Sequence, residues 1–288
     1  MNDSLHNSLR SWLDEKLGVS LSQAGSDPVP VYGSTRRKFS SSPLWAIKLG
    51  KTGIITVAPR LVDVITPISR KLSMDELFST FASYELSRVL LADDIGIWVH
   101  GPTFYYIGNN IYYQKIKDTL PVQLSTSEMF ARFDHKIFWH CLGETEIIGK
   151  SDLKVGFGIF ESNKPAALAT VRAESSQFWE IGVDVSPEVQ RHGLGLAVVS
   201  AACDWILEHN RLILYKTAPW NIPSTRVARA LGLHYALTDM EGRPGKFRGM
   251  PQPLGKPRTG VEMFNYYPDW AMNKRIKSAA AVPQRPTD

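Results

Sequence analysis

Apolar residues recur at three- and four-residue intervals where the chain begins. Leu5, Leu9, Trp12, Leu13 and Leu17 share one helical face, and Gly18 is placed to end that helix. A polar stretch rich in Pro, Gly and Ser follows as far as Pro43. LWAIKLGKTGIITVAP (44–59) reads as two short strands with Gly50 and Gly53 at the turn. SMDE (73–76) has the spacing of a capping box, in which the serine hydroxyl and the glutamate satisfy each other's backbone amides. It predicts a helix to Ala92. IGIWVH (95–100) reads as a strand, and the aromatics crowded into 98–113 are expected in the core or at a domain contact.

A second unit begins near Asp118. PVQLST suggests a strand, Ser127 a helix cap, and the helix is expected to run to Leu142 before a loop at 143–152. VGFGIFE (155–161) and AALATVRAE (166–174) read as strands around an SNKP turn. WEIGVDVSP (179–187) is a third strand, with Ile181, Val183 and Val185 on one face. The helix over 196–210 is apolar apart from Ser200, Asp204 and Glu208, so it packs on a sheet. RLILYKTAP (211–219) is a buried strand. NIPSTRVARALGL is a helix capped by Asn221 and closed by Gly232. Strand, helix and strand in this order predict a parallel pair joined by a crossover. A basic Gly/Pro loop over 242–260, a last strand at 261–267 and a disordered tail from 274 complete the pattern.

Composition bounds the function without choosing it. With 288 residues, 43% hydrophobic and 21% charged, the chain has room for one or two packed domains. The net charge of +5 is dispersed, which argues against nucleic acid and suits an anionic small ligand. Two cysteines, Cys141 and Cys203, form neither a disulfide framework nor a CxxC pair. His135, His140 and Cys141 lie close in sequence but lack HExxH or CxxC spacing, so no metal is expected. The first residues do not read as a signal peptide, and no apolar run reaches the ~18 residues of a membrane span. A cytoplasmic protein is the expectation, with a homodimer left open.

The chemistry is concentrated in QRHGLG (190–195), between a strand and a helix. Unpaired amides and the positive dipole end make a helix N-terminus an anion site, and glycines let a phosphate approach. The same glycines also suit a plain strand-to-helix turn. A dinucleotide fingerprint would need a third glycine where Val198 stands and an acidic residue at the end of the next strand, where Lys216, Thr217 and Ala218 occur. A Walker A loop is absent. The spacing that fits is Q-x-x-G-x-G, filled by Gln190, Gly193 and Gly195.

This stretch resembles the acyl-CoA-binding motif of the GNAT superfamily of N-acetyltransferases. N-x-x-S-x-x-V-A-x-x-L-G, filled by Asn221, Ser224, Val227, Ala228, Leu231 and Gly232, is similar to the family's following segment. The likeness covers roughly 118–267 and is strongest over 179–233. It implies an α/β fold with a mixed, largely antiparallel sheet flanked by helices. The expected organisation is an additional N-terminal α/β domain (1–117), an acetyltransferase domain (118–270) and a tail (271–288).

The resemblance further implies acetyl-CoA as co-substrate. The backbone of Val183 and Val185 would pair with the pantetheine arm. Gln190, Arg191, His192, Gly193, Leu194, Gly195 and Leu196 would surround the pyrophosphate, and Asn221 and Ser224 would flank the arm. A small-molecule or peptide amine would attack the thioester directly, with Glu180 as base and Asp184 on the same side of the strand. Many members protonate the departing thiolate with a tyrosine at the position of Ala228; Tyr215, or Tyr235, would have to substitute. The alternatives are a non-catalytic acyl-CoA-binding module and a transferase of larger acyl groups.

Overall fold

The computed structural model describes residues 3–37, 42–90, 95–97, 101–112, 120–143, 152–190 and 192–244. In chain order its strands are β1 (Val31–Gly33), β2 (Leu44–Leu49), β3 (Thr52–Val57), β4 (Ile95–Ile97), β5 (Thr103–Gly108), β6 (Val122–Leu124), β7 (Leu153–Glu161), β8 (Lys164–Ala173), β9 (Phe178–Val185), β10 (Leu212–Thr217) and β11 (His234–Pro244). All belong to one sheet, in the order β1-β3-β2-β11-β5-β10-β9-β8-β7-β6, with β4 also pairing with β11. Only β1–β3 and β9–β10 pair in parallel; the other pairs are antiparallel. This is the mixed, largely antiparallel sheet expected from the sequence. β5 lies between β10 and β11, so strands from early and late in the chain alternate in one sheet.

Helices cover both faces. They are α1 (Asp3–Leu17), α2 (Val62–Lys71), α3 (Met74–Leu77), α4 (Thr80–Leu90), α5 (Thr126–Arg132), α6 (Leu194–Glu208) and α7 (Ile222–Ala230). Successive strand residues point to opposite faces, and β9 shows which helix each face carries. Ile181 packs with Val198, Cys203 and Ile206 of α6. Phe178 packs with Leu9, Trp12 and Leu13 of α1. All five apolar positions of α1 picked out by their spacing are buried, Trp12 being the most exposed at 4%. α2 to α4 cover β2, β3, β4 and β11 on the α6 side, while α5 and a π-helical turn (Trp139–Gly143) cover β7 and β8 on the α1 side.

Several elements differ from the sequence reading. The capping box at Ser73 is present, but its helix ends at Leu77 and α4 starts afresh at Thr80, with Ser79 Oγ bonded back to the Glu76 carbonyl. Ser125, not Ser127, caps α5, because only Ser125 has a glutamate three residues on to close the box. α5 stops at Arg132, and the rest of the expected helix is a turn followed by the π-helical segment. Ser200, read as part of a polar stripe, is 3% exposed and faces the core. α2 and the long strand β11 were not foreseen, nor was β5 within the aromatic stretch. Residues 242–244, expected in a loop, are the end of β11; residues 98–100 of the expected 95–100 strand, the rest of the 242–260 loop, the 261–267 strand and the tail lie outside the described residues.

Candidate active site

The glycine pair stands where the chain turns into a helix. Gly193 has φ +78°, a left-handed conformation that glycine adopts without strain, and it is the N-cap of α6. It offers no side chain to cap the helix, and the first intrahelical bond comes from Ala197 to the Gly193 carbonyl. The amides of residues 193–196 therefore lie ahead of the hydrogen-bond ladder and point out of the helix end. A Cβ on Gly195 would stand 3.2 Å from Cγ2 of Val185, so glycine lets the first turn of α6 lie against the end of β9. Gln190 and His192 are exposed beside this end, Leu194 is buried beneath it and Leu196 is partly buried. Arg191 lies outside the described residues.

Two parallel strands part beside this end. β9 and β10 pair in parallel from Leu212–Phe178 to Tyr215–Ile181, and there the pairing stops. Among the described strands, Gly182 to Val185 run on paired with β8, while Lys216 and Thr217 stay paired with β5. The backbone of Val183 and Val185 thus borders a splay between two parallel strands, whose upper end meets the open amides of α6. A strand edge of this kind can take an extended amide-bearing chain as an added strand.

Below the splay, on the α1 face, lies a floor of charged side chains. Glu180 Oε2 accepts from Lys216 Nζ at 3.1 Å. Burial works against the Glu180 carboxylate, but Lys216, Arg172 and Lys16 together hold its pKa below the usual range. Lys216 is raised in return: Glu180 and Tyr105 outweigh burial. The Lys216 amine also stands 5.0 Å from the centre of the Tyr105 ring. Tyr105 and Trp45 both donate to Asp239 Oδ2, at 2.7 and 2.6 Å. Glu241 pairs with Arg243 and accepts from Ser42, and its carboxyl sits low, at about 2, because Arg243 and Lys16 overcome burial. Lys16 of α1 is pulled two ways: it pairs with Glu174, while burial and Lys216 push its amine down to about 7. Most of these side chains keep some solvent contact, Glu180 at 25% and Lys216 at 16%, so the floor is recessed rather than sealed.

On the α6 face, the Tyr215 hydroxyl lies 2.7 Å from Ser224 Oγ, and Asn221 Oδ1 caps α7 by accepting from the Ser224 amide at 3.3 Å. Tyr215 is 1% exposed and its pKa is raised, chiefly by burial, so it carries its proton. Tyr235 is half exposed and bonds Thr238 instead, away from this group.

Residues 112–233 match the family model described as acetyltransferase (GNAT) family. This region is a domain of the GNAT acetyltransferase family. No curated protein matches the chain by sequence. Solved structures similar to it include a GCN5-related N-acetyltransferase-like protein from Streptococcus suis 89/1591 (13% identity, TM-score 0.46, 84% of this chain and 98% of that one). A GCN5-related N-acetyltransferase from Kribbella flavida is comparable (14%, 0.45, 85% and 97%). A protein assigned to the GNAT family from Novosphingobium aromaticivorans is also similar (14%, 0.36), and the chain spans 64% of its length and matches it over half of its own.

Within the GNAT domain the sequence-derived residues fall into two groups. Val183, Val185, Gly193, Leu194, Gly195 and Leu196 meet where the splay reaches the start of α6, with Gln190 and His192 at its rim. Asn221, Ser224 and Tyr215 meet at the start of α7. Glu180 sits apart from both, on the opposite face of β9 from Ile181, and Asp184 does point the same way. Ala228, the departure from the family pattern, is fully buried in the cluster that holds Tyr215. The Tyr215 hydroxyl reaches Ser224, one turn before Ala228 on α7, so a tyrosine stands on this face of the helix from the neighbouring strand. Lys216, Asp239, Tyr105 and Lys16 were not recognised, because nothing local in the sequence tells that β5, β10, β11 and α1 converge on one floor. His140 was considered only as a metal ligand. Among the described residues no group of three or more His, Cys, Asp or Glu side chains could hold a metal.

Proposed function

We propose that this protein transfers an acyl group, acetyl in the first instance, from acyl-CoA to a primary amine of a small molecule or peptide. The carrying observation is a juxtaposition: two parallel strands part at Tyr215–Ile181, and their gap leads to a helix end whose glycines leave the amides open. In this reading the amides of residues 193–196 hold the pyrophosphate, with Arg191, His192 and Gln190 around it. The edges of Val183 and Val185 take the amide-bearing arm, and Asn221 and Ser224 flank it. The thioester then lies near the point where the strands part, between Tyr215 on one face and Glu180 on the other.

The amine attacks the acyl carbon, the C–S bond breaks, and its electron pair leaves on sulfur. Tyr215, kept protonated by burial and hydrogen-bonded to Ser224, gives the thiolate a proton. Glu180, ionised beside Lys216, meets the incoming amine by charge and helps to relieve it of its proton. Tyr215 supports the catalytic reading over a non-catalytic module, since it brings a phenol to the helix face where Ala228 lacks one.

The test is thermal stability with acetyl-CoA, CoA, NAD and ATP, followed by thiol release with a panel of amines. A ligand present at a hundred times its dissociation constant adds about 2.7 kcal/mol to folding stability. Acetyl-CoA and CoA are expected to raise the melting point and NAD to leave it unchanged. Gly195→Leu is expected to abolish that rise, because the side chain fills the approach to the amides, and to lower the melting point without ligand as its Cβ presses on Val185. A full acetyl-CoA response in this variant overturns the cradle. Ligand response without thiol release from any amine would leave a binding module instead.

A further inference from the structure

The acceptor has to reach the place where β9 and β10 part, and an ion pair stands there. The last paired rung joins Ile181 to Tyr215. Glu180 precedes that rung on β9, and Lys216 follows it on β10. Phe178 and Leu214, two residues earlier on each strand, pack on α1, so alternation puts both charged side chains on that face, away from Tyr215. Their contact, from Lys216 Nζ to Glu180 Oε2 at 3.1 Å, therefore crosses the foot of the splay and joins the two strands. Tyr105, the partner of Lys216 in register on β5, flanks the lysine with its ring.

Both halves of the pair can take a ligand. Each side chain keeps some solvent contact. Among the described residues, Lys216 Nζ gives one of its three donors to Glu180, and Glu180 Oε1 accepts no hydrogen bond. The site thus offers a cation and an anion side by side. The charges around it nearly cancel: Lys16, Arg172 and Arg243 bring cations, while Glu174, Asp239 and Glu241 bring carboxylates. Arg37 adds a cation beside Glu241, and burial, which lowers the Lys16 amine to about 7, trims the positive side. A net charge added to such a recess loses its hydration without gaining a matching partner, so a polycation or a polyanion suits it poorly. A molecule with one charge of each sign on neighbouring atoms keeps the balance and satisfies both halves.

We propose that the acceptor is a free α-amino acid, held as its zwitterion across the Glu180–Lys216 pair. The proposal rests on the acyl-transfer reading and names its substrate class. The ammonium donates to Glu180, and the carboxylate accepts from Lys216. A single carbon separates the two groups of an α-amino acid, so both can meet partners that are themselves 3.1 Å apart. The nitrogen then approaches the thioester from the α1 face, and the sulfur leaves towards Tyr215 on the other. In becoming an amide the nitrogen sheds two protons, one to solvent by way of Glu180 and one that makes good the proton Tyr215 gives to sulfur. The product keeps its carboxylate but has no charge left for Glu180, which weakens its hold on the pair and favours release.

The experiment measures thiol release from acetyl-CoA with three matched pools, and then with the members of each active pool: the standard amino acids, their α-amides and the amines left by decarboxylation. Spermidine and a Ser-initiated peptide complete the set. The amides are more easily deprotonated than the acids, so bare reactivity favours them. The wild type is nevertheless expected to use at least one amino acid with a kcat/KM about tenfold or more above that of its own amide and of its decarboxylated amine, the discrimination of one hydrogen bond to a charged group. In Lys216→Gln the KM for that amino acid rises by about the same factor and the KM for its amide does not, so the preference disappears, while acetyl-CoA still raises the melting point. Amides or plain amines used as well as the acids overturn this inference and leave the transfer reading standing. So does a preference that survives in Lys216→Gln, or turnover confined to spermidine or the peptide. The wild-type comparison needs no variant, so it decides even where Lys216→Gln weakens the fold. No wild-type turnover on any amine, despite acetyl-CoA binding, overturns the transfer reading and this inference with it.

Discussion

Asp239 shows how one side chain can couple the floor of the cleft to pH. Burial, reinforced by Glu241, raises its pKa from the ordinary value to about 6, against the bonds from Trp45 and Tyr105. A carboxyl raised on folding binds its proton more tightly in the native state. Its contribution to stability is therefore complete below the unfolded value near 4 and is lost as pH rises through about 6. Asp239→Asn keeps an oxygen that can accept from both donors but cannot ionise. Denaturant unfolding of the two proteins at intervals from pH 4 to 8 is expected to show the variant gaining on the wild type across this window. Their difference isolates the one group from Glu241, whose low pKa acts in the opposite sense at the acid end. Asp239→Leu leaves Trp45 Nε1 and Tyr105 OH without an acceptor, at ~1–3 kcal/mol for each buried donor, and is expected to be destabilised at every pH. A flat difference curve for the Asn variant would show that Asp239 ionises on folding as it does in water.

Among the elements, those fixed by local rules were legible and those fixed by distant partners were not. The α1 stripe, the β2–β3 hairpin and the cap at Asn221 follow from spacing and capping chemistry, and each is present. Helix α6 and the parallel β9–β10 pair were equally readable, since a glycine-led helix must carry the chain back across the sheet. β11 was not, because its middle, from Ala236 to Met240, is buried on both faces and a bulge between Tyr235 and Leu237 breaks the alternation. β5 was hidden for a similar reason: Tyr105 and Tyr106 are both buried, one on each face. The π-helical turn was hidden too: the carboxylate that bonds it, Asp184, stands more than forty residues away in sequence. The Asn221 cap is the element whose stability and chemistry are joined. Asn221→Ala removes the acceptor of the Ser224 amide, typically ~1 kcal/mol, and loosens the serine that holds the Tyr215 hydroxyl. Equilibrium unfolding should report a loss of this order, and kcat should fall further than Asn221→Ser, which retains a cap. Equal rates for the two variants would detach Tyr215 from the chemistry.

At the scale of the molecule, the splay between β9 and β10 depends on residues outside the region that matches the family. β5 separates β10 from β11 by pairing with both, and α1 seals the opposite face across β2, β3, β5, β9, β10 and β11 through Trp45, Ile47, Ile54, Tyr105, Ile107, Phe178, Leu214 and Leu237. A fragment starting at residue 118 lacks β5, so the paired edges of β10 and β11 lose their common partner, and it lacks α1, so Phe178, Leu214 and Leu237 face water. Each large apolar side chain so exposed forfeits about 1.5–3 kcal/mol, and a small domain holds only about 5–15 in total. The fragment 118–270 is therefore expected to show no cooperative melting transition and no response to acetyl-CoA, although it contains every residue of the cradle. Leu9→Ala in the whole chain makes the same point more gently: it opens a cavity at a fully buried position and should cost about 2–5 kcal/mol without touching the site. If the fragment instead melts cooperatively and shifts with acetyl-CoA, the sheet is two separable halves, and the early strands serve the acceptor side alone. Loss in the fragment alongside a stable, ligand-responsive Leu9→Ala chain would mean that the cradle is legible in a short motif but is held in shape by the sheet as a whole.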